Sequence, residues 1–496
     1  MPILRVLLIL VCGVAGTADA ATYYVRNGGN DSADGRSHAT AWATLDKVNS
    51  FSFSAGDSVL FHEGGRWSGK RLVVKWGGTA DSYAVIGAYY LDNGTPRRGY
   101  RTSRPTIDGA DRVPSGSKHD GLVQVRADRV RVENLAVINS EGRGVNFDQA
   151  HSGQVVGVHV ENTYTCGIAL IKSRDGLVEG STVTESDRQR YEDGLNWCAA
   201  IAAVGSARPT IRRNRVEKVY GEGINVNHNS FDAVIEDNFV FAARAVGIYA
   251  DAAPRPTIRR NLIVGTANSR YWRYDRVAGG GIVLNNESYH YQSHGGSMRE
   301  TDQSNNARIY GNLVAFSNQG IAFWGQLEST RFDNTLVYNN TLVDNERQLF
   351  THGKPLAGSV ITNNILLSAT SGTVDVEGNF PNVTARSNYF SQGDPGGTLS
   401  HGSNRYKGLK LARMSGWRSI NAPDQVSWQD FLPLDDSSTN GAGDAGHFSK
   451  ATAADAFALD YAQRPFGSPP DIGGLSAAKP TTTRTPKAPR EFNASH

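Results

Sequence analysis

Sulfur is scarce in this chain, with three cysteines and three methionines in 496 residues. The cysteines, Cys12, Cys166 and Cys198, lack the clustered spacing of a structural zinc site. Net charge is also slight: 51 Lys and Arg against 48 Asp and Glu leave +3. So small a total argues neither for nor against a polyanionic partner, and local basic residues matter more. Beyond the first twenty residues no apolar run is long enough to cross a bilayer as a helix. Sustained helical periodicity is missing as well, which disfavours helical and leucine-rich repeats. What the chain does have is glycine, 54 residues of it, and short alternating runs of Val and Ile.

Between 211 and 364 one phrase recurs: an aliphatic residue, two mostly polar residues, then asparagine. Ile211, Ile235, Ile258, Ile309, Val337 and Ile361 open it; Asn214, Asn238, Asn261, Asn312, Asn340 and Asn364 close it. The asparagines are 24, 23, 51, 28 and 24 residues apart. A second phrase, Gly-Ile, runs between them at Gly223, Gly247, Gly281 and Gly320. A period in the twenties with twofold alternation predicts an all-β solenoid, a parallel β-helix whose turns pair with those above and below. Asparagine suits a tight corner because it tolerates the left-handed region and can hydrogen-bond to the equivalent amide on the next turn. Weaker repeats around Val132, Val145, Ile168 and Ile201 extend the solenoid over 105–390, on the order of eleven turns. The doubled 51-residue interval holds either an extra turn or a large loop.

The ends read differently. Arg5, an apolar run over 7–13 and Ala18-Asp19-Ala20 have the three parts of a secretory signal cleaved after Ala20. The expectation is an exported protein, periplasmic or secreted, not inserted in a membrane and monomeric. Residues 21–104 form an N-terminal cap and first coils, with a short amphipathic helix over 41–48 plugging the open end. Residues 391–478 supply C-terminal coils and a cap, with turns at 432–437 and 471–474, and 479–496 read as a disordered tail. Cys166 and Cys198 fall at nearly the same phase on neighbouring turns. In an oxidising compartment they form a disulfide or remain two buried thiols.

The opening TYYV, NDSADG, AWATLDKV and GDSVLFHEG segments, the Gly-Ile and Ile-x-x-Asn turns and the closing DIGG together resemble exported right-handed parallel β-helix proteins. That superfamily includes pectate lyases, chondroitinase B, alginate lyases and mannuronan epimerases. The resemblance covers nearly the whole mature chain and rests mostly on scaffold motifs. It implies a right-handed parallel β-helix with an N-terminal cap, acting on an acidic polysaccharide.

If each central isoleucine faces inward, the residues one and three later face outward and stack into rows. One side then carries Asp148, Asn225, Asn227, Tyr249, Asp251, Glu287 and Trp324, with Lys172 and His228 in the row beside them. Three long loops, at 185–197, 268–276 and 287–300, add Arg270, Tyr271, Trp272 and His290 to that side. Arg and Tyr interleaved suit sugar stacking and carboxylate pairing.

Uronate chemistry requires neutralisation of the carboxylate, a base for the proton at carbon five and an acid for the leaving oxygen. His228 is the first candidate base. Its segment resembles a mannuronan epimerase stretch with a catalytic histidine, but Asn225 and Asn227 stand where that stretch has acidic flanks. Lys172 is the competing base, as lysine serves in several β-helix lyases. Tyr249 is the candidate acid, and Arg244 and Arg270 are candidate carboxylate clamps. Asn225, Asn227, Arg270, Tyr271, Trp272, His290 and Trp324 are the candidate substrate contacts. No cofactor is certain; calcium is the one considered, with Asp148, Asp251 and Glu287 as its ligands. Glu222 reads as a structural residue packed against a turn.

The expected activity is β-elimination on a uronate-containing polysaccharide. The alternatives are an epimerase, a glycoside hydrolase or a non-catalytic polysaccharide-binding solenoid. The hydrolase reading is weaker because Asp148 and Asp251 are too many turns apart. Nucleic acid is disfavoured by export and balanced charge.

Overall fold

In the computed structural model of the protein, residues 20–194, 197–273, 277–287, 303–325, 328–444 and 471–475 are described. Their strands are mostly three to six residues long and form three sheets of 14, 12 and 11 strands. Apart from one antiparallel hairpin, Ala84–Asp92 with Thr95–Arg98, the strands pair in parallel. Each turn gives one strand to each sheet, as Thr210–Arg212, Arg215–Val219 and Glu222–Asn227 do in succession. Each such turn is one rung of the solenoid.

The core is a column of aliphatic side chains at one register position of the third sheet: Val145, Ile168, Ile201, Ile224, Ile248, Ile282 and Ile321. All are fully buried, and each contributes about 1.5–3 kcal/mol of hydrophobic stabilisation before the cost of ordering the chain.

The asparagines form the expected ladder. Asn214, Asn238, Asn261, Asn312 and Asn340 each donate through Nδ2 to Oδ1 of the next, at 2.9–3.0 Å. Each Nδ2 also donates to a main-chain carbonyl, as Asn238 does to Ile211 at 3.0 Å. The expected left-handed backbone is one residue displaced. Arg213, Asp237, Arg260 and Gly311 carry the positive φ, and each following asparagine turns inward to bond. The 51-residue interval is a single turn with long loops, because Asn261 bonds Asn312 directly and Thr257–Arg259 pairs Arg308–Tyr310.

The Gly-Ile phrase has its own cause. A Cβ on Gly223 would lie 2.7 Å from Val240 Cγ1, and one on Gly247 would lie 2.5 Å from Ile263 Cγ2. Both neighbours are core side chains, so the glycine faces inward, as does the isoleucine after it. Two consecutive inward residues break the alternation, and the residue before each glycine faces outward.

At the N-terminal end the helix runs Leu45–Ser50, later than expected. The Thr44 hydroxyl accepts from the Lys47 amide at 3.1 Å, and Asp31 holds the Ala43 and Thr44 amides. Leu45 and Val48 then close the core. At the C-terminal end Leu399 enters the core and Asn404 accepts from the Asn388 amide at 3.1 Å, continuing the coil. The turns expected at 432–437 and 471–474 do not close that coil but lie along the outer face of the second sheet. There Leu411, Trp417, Phe431, Ile472 and Leu475 pack on Tyr220, Phe241, Leu262, Leu313 and Ile365. The signal (1–20), except for its final Ala20, and the tail (479–496) lie outside the described residues. No described helix is long and apolar enough to cross a membrane.

Candidate functional site

A cleft of about 530 Å³ lies on the outer face of the third sheet. Its floor runs over the rungs Arg143–Asp148, Ile168–Ile171, Ala199–Val204, Glu222–Asn227 and Val246–Asp251. One wall is the excursion that carries the short helix Arg188–Glu192. A disulfide between Cys166 and Cys198, with Cα atoms 5.3 Å apart, ties the end of that excursion to the floor. Of the two outcomes open from the sequence, the bonded one is observed.

Four chemical groups meet at one end. Glu222 is almost wholly buried and accepts a hydrogen bond from Asn225 Nδ2. Burial pushes its carboxyl up to about 8 against that bond, with Glu287, Asp187 and Asp251 adding repulsion. Glu222 therefore holds its proton at neutral pH. Tyr249 donates to Glu287 Oε1 at 2.7 Å and accepts from Asn285 Nδ2 at 2.7 Å. Burial and the surrounding carboxylates raise its phenol well above the usual value. Asp251 positions Glu287 by accepting its amide at 2.8 Å. Asn225 and Asn227 line the cleft, each with a buried Oδ1 that has no hydrogen-bond partner. His228 borders this group from the left-handed corner that ends the strand, at φ 53°.

A second acid lies behind the wall. Asp187 is fully buried and accepts from the Cys198 amide at 2.9 Å and from Gln189 Nε2 at 2.9 Å. Burial outweighs those bonds and raises its carboxyl to about 8. On the wall itself, Trp197 lies beside two cations, with the Arg190 guanidinium 3.8 Å and that of Arg273 5.1 Å from its ring. Arg273 also lies 5.7 Å from the Trp324 ring.

Of the sequence candidates, Asn225, Asn227, His228, Tyr249 and Glu287 come together, with Asp251 behind Glu287. The others stand apart. Lys172 occupies the corner equivalent to His228 two rungs away, exposed and not lining the cleft. Arg244 donates to the Trp272 carbonyl at 3.1 Å, and burial lowers its guanidinium, with Arg190 acting in the same sense. Arg270 is engaged by a tyrosine stack: it donates to the Tyr220 hydroxyl and lies 4.9 Å from the Tyr191 ring. Tyr271 is buried in that stack, bonded to Glu185 at 3.3 Å. Trp272 donates to the Thr266 carbonyl at 2.6 Å. His290 lies outside the described residues.

The proposed calcium set is not assembled. Asp148 is four rungs from Asp251, about 19 Å at 4.8 Å per rung. Among the described residues no three His, Cys, Asp or Glu side chains gather closely enough to hold an ion. These residues do not fit a calcium centre.

Sequence reasoning missed Arg143, His119, Trp197 and Asp187 as site residues, and gave Glu222 only a structural role. Arg143 and Glu222 occupy the same row, the residue before the Gly-Ile position. Reading that glycine as inward-facing would have found both.

Residues 106–263 and 188–294 match the family described as right handed beta helix region. This part of the chain is a right-handed β-helix. No curated protein matches the sequence. Among solved structures, pectate lyase Pel9A aligns over 93% of this β-helix chain and 97% of its own, at 14% identity and a TM-score of 0.51. An alginate lyase from Paenibacillus sp. aligns over 69% and 98%, at 14% identity and 0.46. A lacto-N-biosidase from Eubacterium ramulus aligns over 75% and 64%, at 17% identity and 0.41. At such identities the likeness is one of fold.

Proposed function

We propose that this β-helix is an exported carbohydrate-active enzyme that cleaves an acidic polysaccharide by β-elimination. The observation that carries the reading is Glu222, a carboxyl held neutral in the cleft beside Asn225, Tyr249 and His228. An ionised floor would repel a uronate carboxylate. A protonated one accepts its approach and donates a hydrogen bond, which strengthens as abstraction of the carbon-five proton builds charge on that group. His228, at the edge, takes the carbon-five proton and releases it to solvent after the elimination. Tyr249 donates its phenolic proton to the leaving glycosidic oxygen and recovers it from solvent, with Glu287 holding the phenol in place. The glycosidic carbon–oxygen bond breaks as the ring double bond forms. Pectate lyase Pel9A, which shares the fold, is compatible with this reading.

The test is incubation of the mature protein with alginate, pectate and glycosaminoglycans, followed by ultraviolet absorbance for the unsaturated uronate. One of these substrates is expected to give the signal; silence on all of them would remove the elimination reading.

One observation favours a hydrolase as the second reading. Glu222 holds a proton and Glu287 lines the same cleft, the acid-and-carboxylate pattern of glycosidases. Under that reading Glu222 transfers its proton, so Glu222→Gln loses about 10²–10⁴-fold in rate. Under the elimination reading the amide still donates and most activity survives.

A further inference from the structure

The cleft has a second end with different chemistry. Arg143 lies in the same outward row as Glu222, with Cys166 and Ala199 at the rungs between them. Three rung spacings put Arg143 about 14 Å away along the axis. The floor between is small and apolar, made of the disulfide, Ala199 and Ala202, and a chain can lie along it.

Arg143 Nη1 donates to Asn146 Oδ1 at 3.1 Å. Its Nε is buried without a hydrogen-bond partner, and among the described residues it makes no ion pair. Two other inward-lying arginines are paired with acids: buried Arg260 with Asp237 and Glu236, and half-buried Arg188 with Glu141 and Asp111. Burial lowers the Arg143 guanidinium, with Asp148 and Asp120 acting against it. A half-buried guanidinium with no ion pair and an unsatisfied Nε is costly, and here it lines an open cleft. His119 shares that end, its imidazole lowered by partial desolvation and by the charge of Arg143, with Asp120 acting against them. The geometry suits an arriving carboxylate.

We propose that Arg143 forms a distal subsite that binds the carboxylate of a second acidic sugar, several units along the chain from the reacting one. The proposal rests on the acidic-polysaccharide reading of the same cleft. It assigns Arg143 to recognition of chain length and direction rather than to the chemical step.

The experiment uses the full mature protein and its Arg143→Gln variant, with thermal melts to confirm that both are folded. Oligouronates of increasing length, and the same oligomers with carboxyls reduced to alcohols, are titrated calorimetrically and assayed kinetically. For the wild type, affinity is expected to rise by about ten- to a hundred-fold once the oligomer is long enough to reach Arg143. The variant loses that increment as a higher KM at unchanged kcat, and short oligomers behave identically on both proteins. The reduced series shows no increment on the wild type, a comparison that needs no variant. Equal weakening of short and long oligomers, or an increment that persists in the variant or in the reduced series, would overturn the proposal. If long oligouronates bind with the Arg143-dependent increment but are not cleaved, the subsite stands and the elimination reading fails. If they are cleaved without the increment, the reverse holds.

Discussion

A carboxyl that keeps its proton near neutral pH is the most informative side chain in the cleft. Glu222 is pushed up to about 8 by burial, so its neutral form prevails below that pH and is lost above it. The elimination reading therefore predicts an alkaline decline in kcat/KM near pH 8, and Glu222→Gln is expected to remove that decline, since its amide donates at every pH. A pH–rate profile of the two proteins checks this; a decline that survives in the variant would assign it to another group. Glu222 could not be recognised from the sequence because strict alternation sends the residue two before an inward isoleucine inward as well. Gly223 and Ile224 face the core together, and that local break exposes Glu222 and, three rungs away, Arg143. By contrast Asn225, Asn227, Tyr249 and Glu287 were legible, because they follow the isoleucine in undisturbed alternation. Lys172 misled because its corner matches that of His228 in backbone but not in surroundings.

At the scale of the elements, the asparagine ladder was nearly readable in full from spacing alone. Its repeat demanded one polar group per turn, and a buried amide with two donors and an acceptor can be satisfied only by its own copies and nearby carbonyls. Asn261 illustrates the stakes. It donates to Ile235, Arg259 and Asn312, and accepts from both the main chain and side chain of Asn238. Asn261→Ala leaves several buried groups unpaired and is expected to cost about 3 kcal/mol or more, read as a fall in Tm or in denaturant midpoint. The charged residues inside the first three Ile-x-x-Asn phrases have a separate use. Arg259 bonds Glu236 at 2.6 Å and Arg260 bonds Asp237 at 2.7 Å, across one rung. These guanidinia hold Glu236 below the usual carboxylate range despite its burial. Their contribution is present at neutral pH and lost as pH falls through that lowered value. The long loops were legible as interruptions, but not their shapes. Nothing periodic announces that the excursion before Cys198 supplies a wall of the cleft.

At the scale of the whole molecule, the disulfide fastens that excursion to the solenoid wall. It closes a segment with a sequence separation of 32 residues, worth about 3–4 kcal/mol in the chain-entropy view. Cys198→Ser is expected to lower activity more than global stability, because a repeat array loosens locally. Hydrogen exchange should rise over 187–204 and stay unchanged at the distant rungs; uniform loosening would contradict this. The C-terminal segment along the second sheet has the opposite consequence. A solenoid in which each coil touches only its neighbours can unzip coil by coil from its end. Here Trp417, Ile472 and Leu475 lie in one apolar cluster with residues from Tyr220 to Tyr389, so the last coils cannot peel away without stripping a brace that runs alongside them. The far half of the molecule is thereby expected to unfold as a block, like a stack of plates strapped down one side.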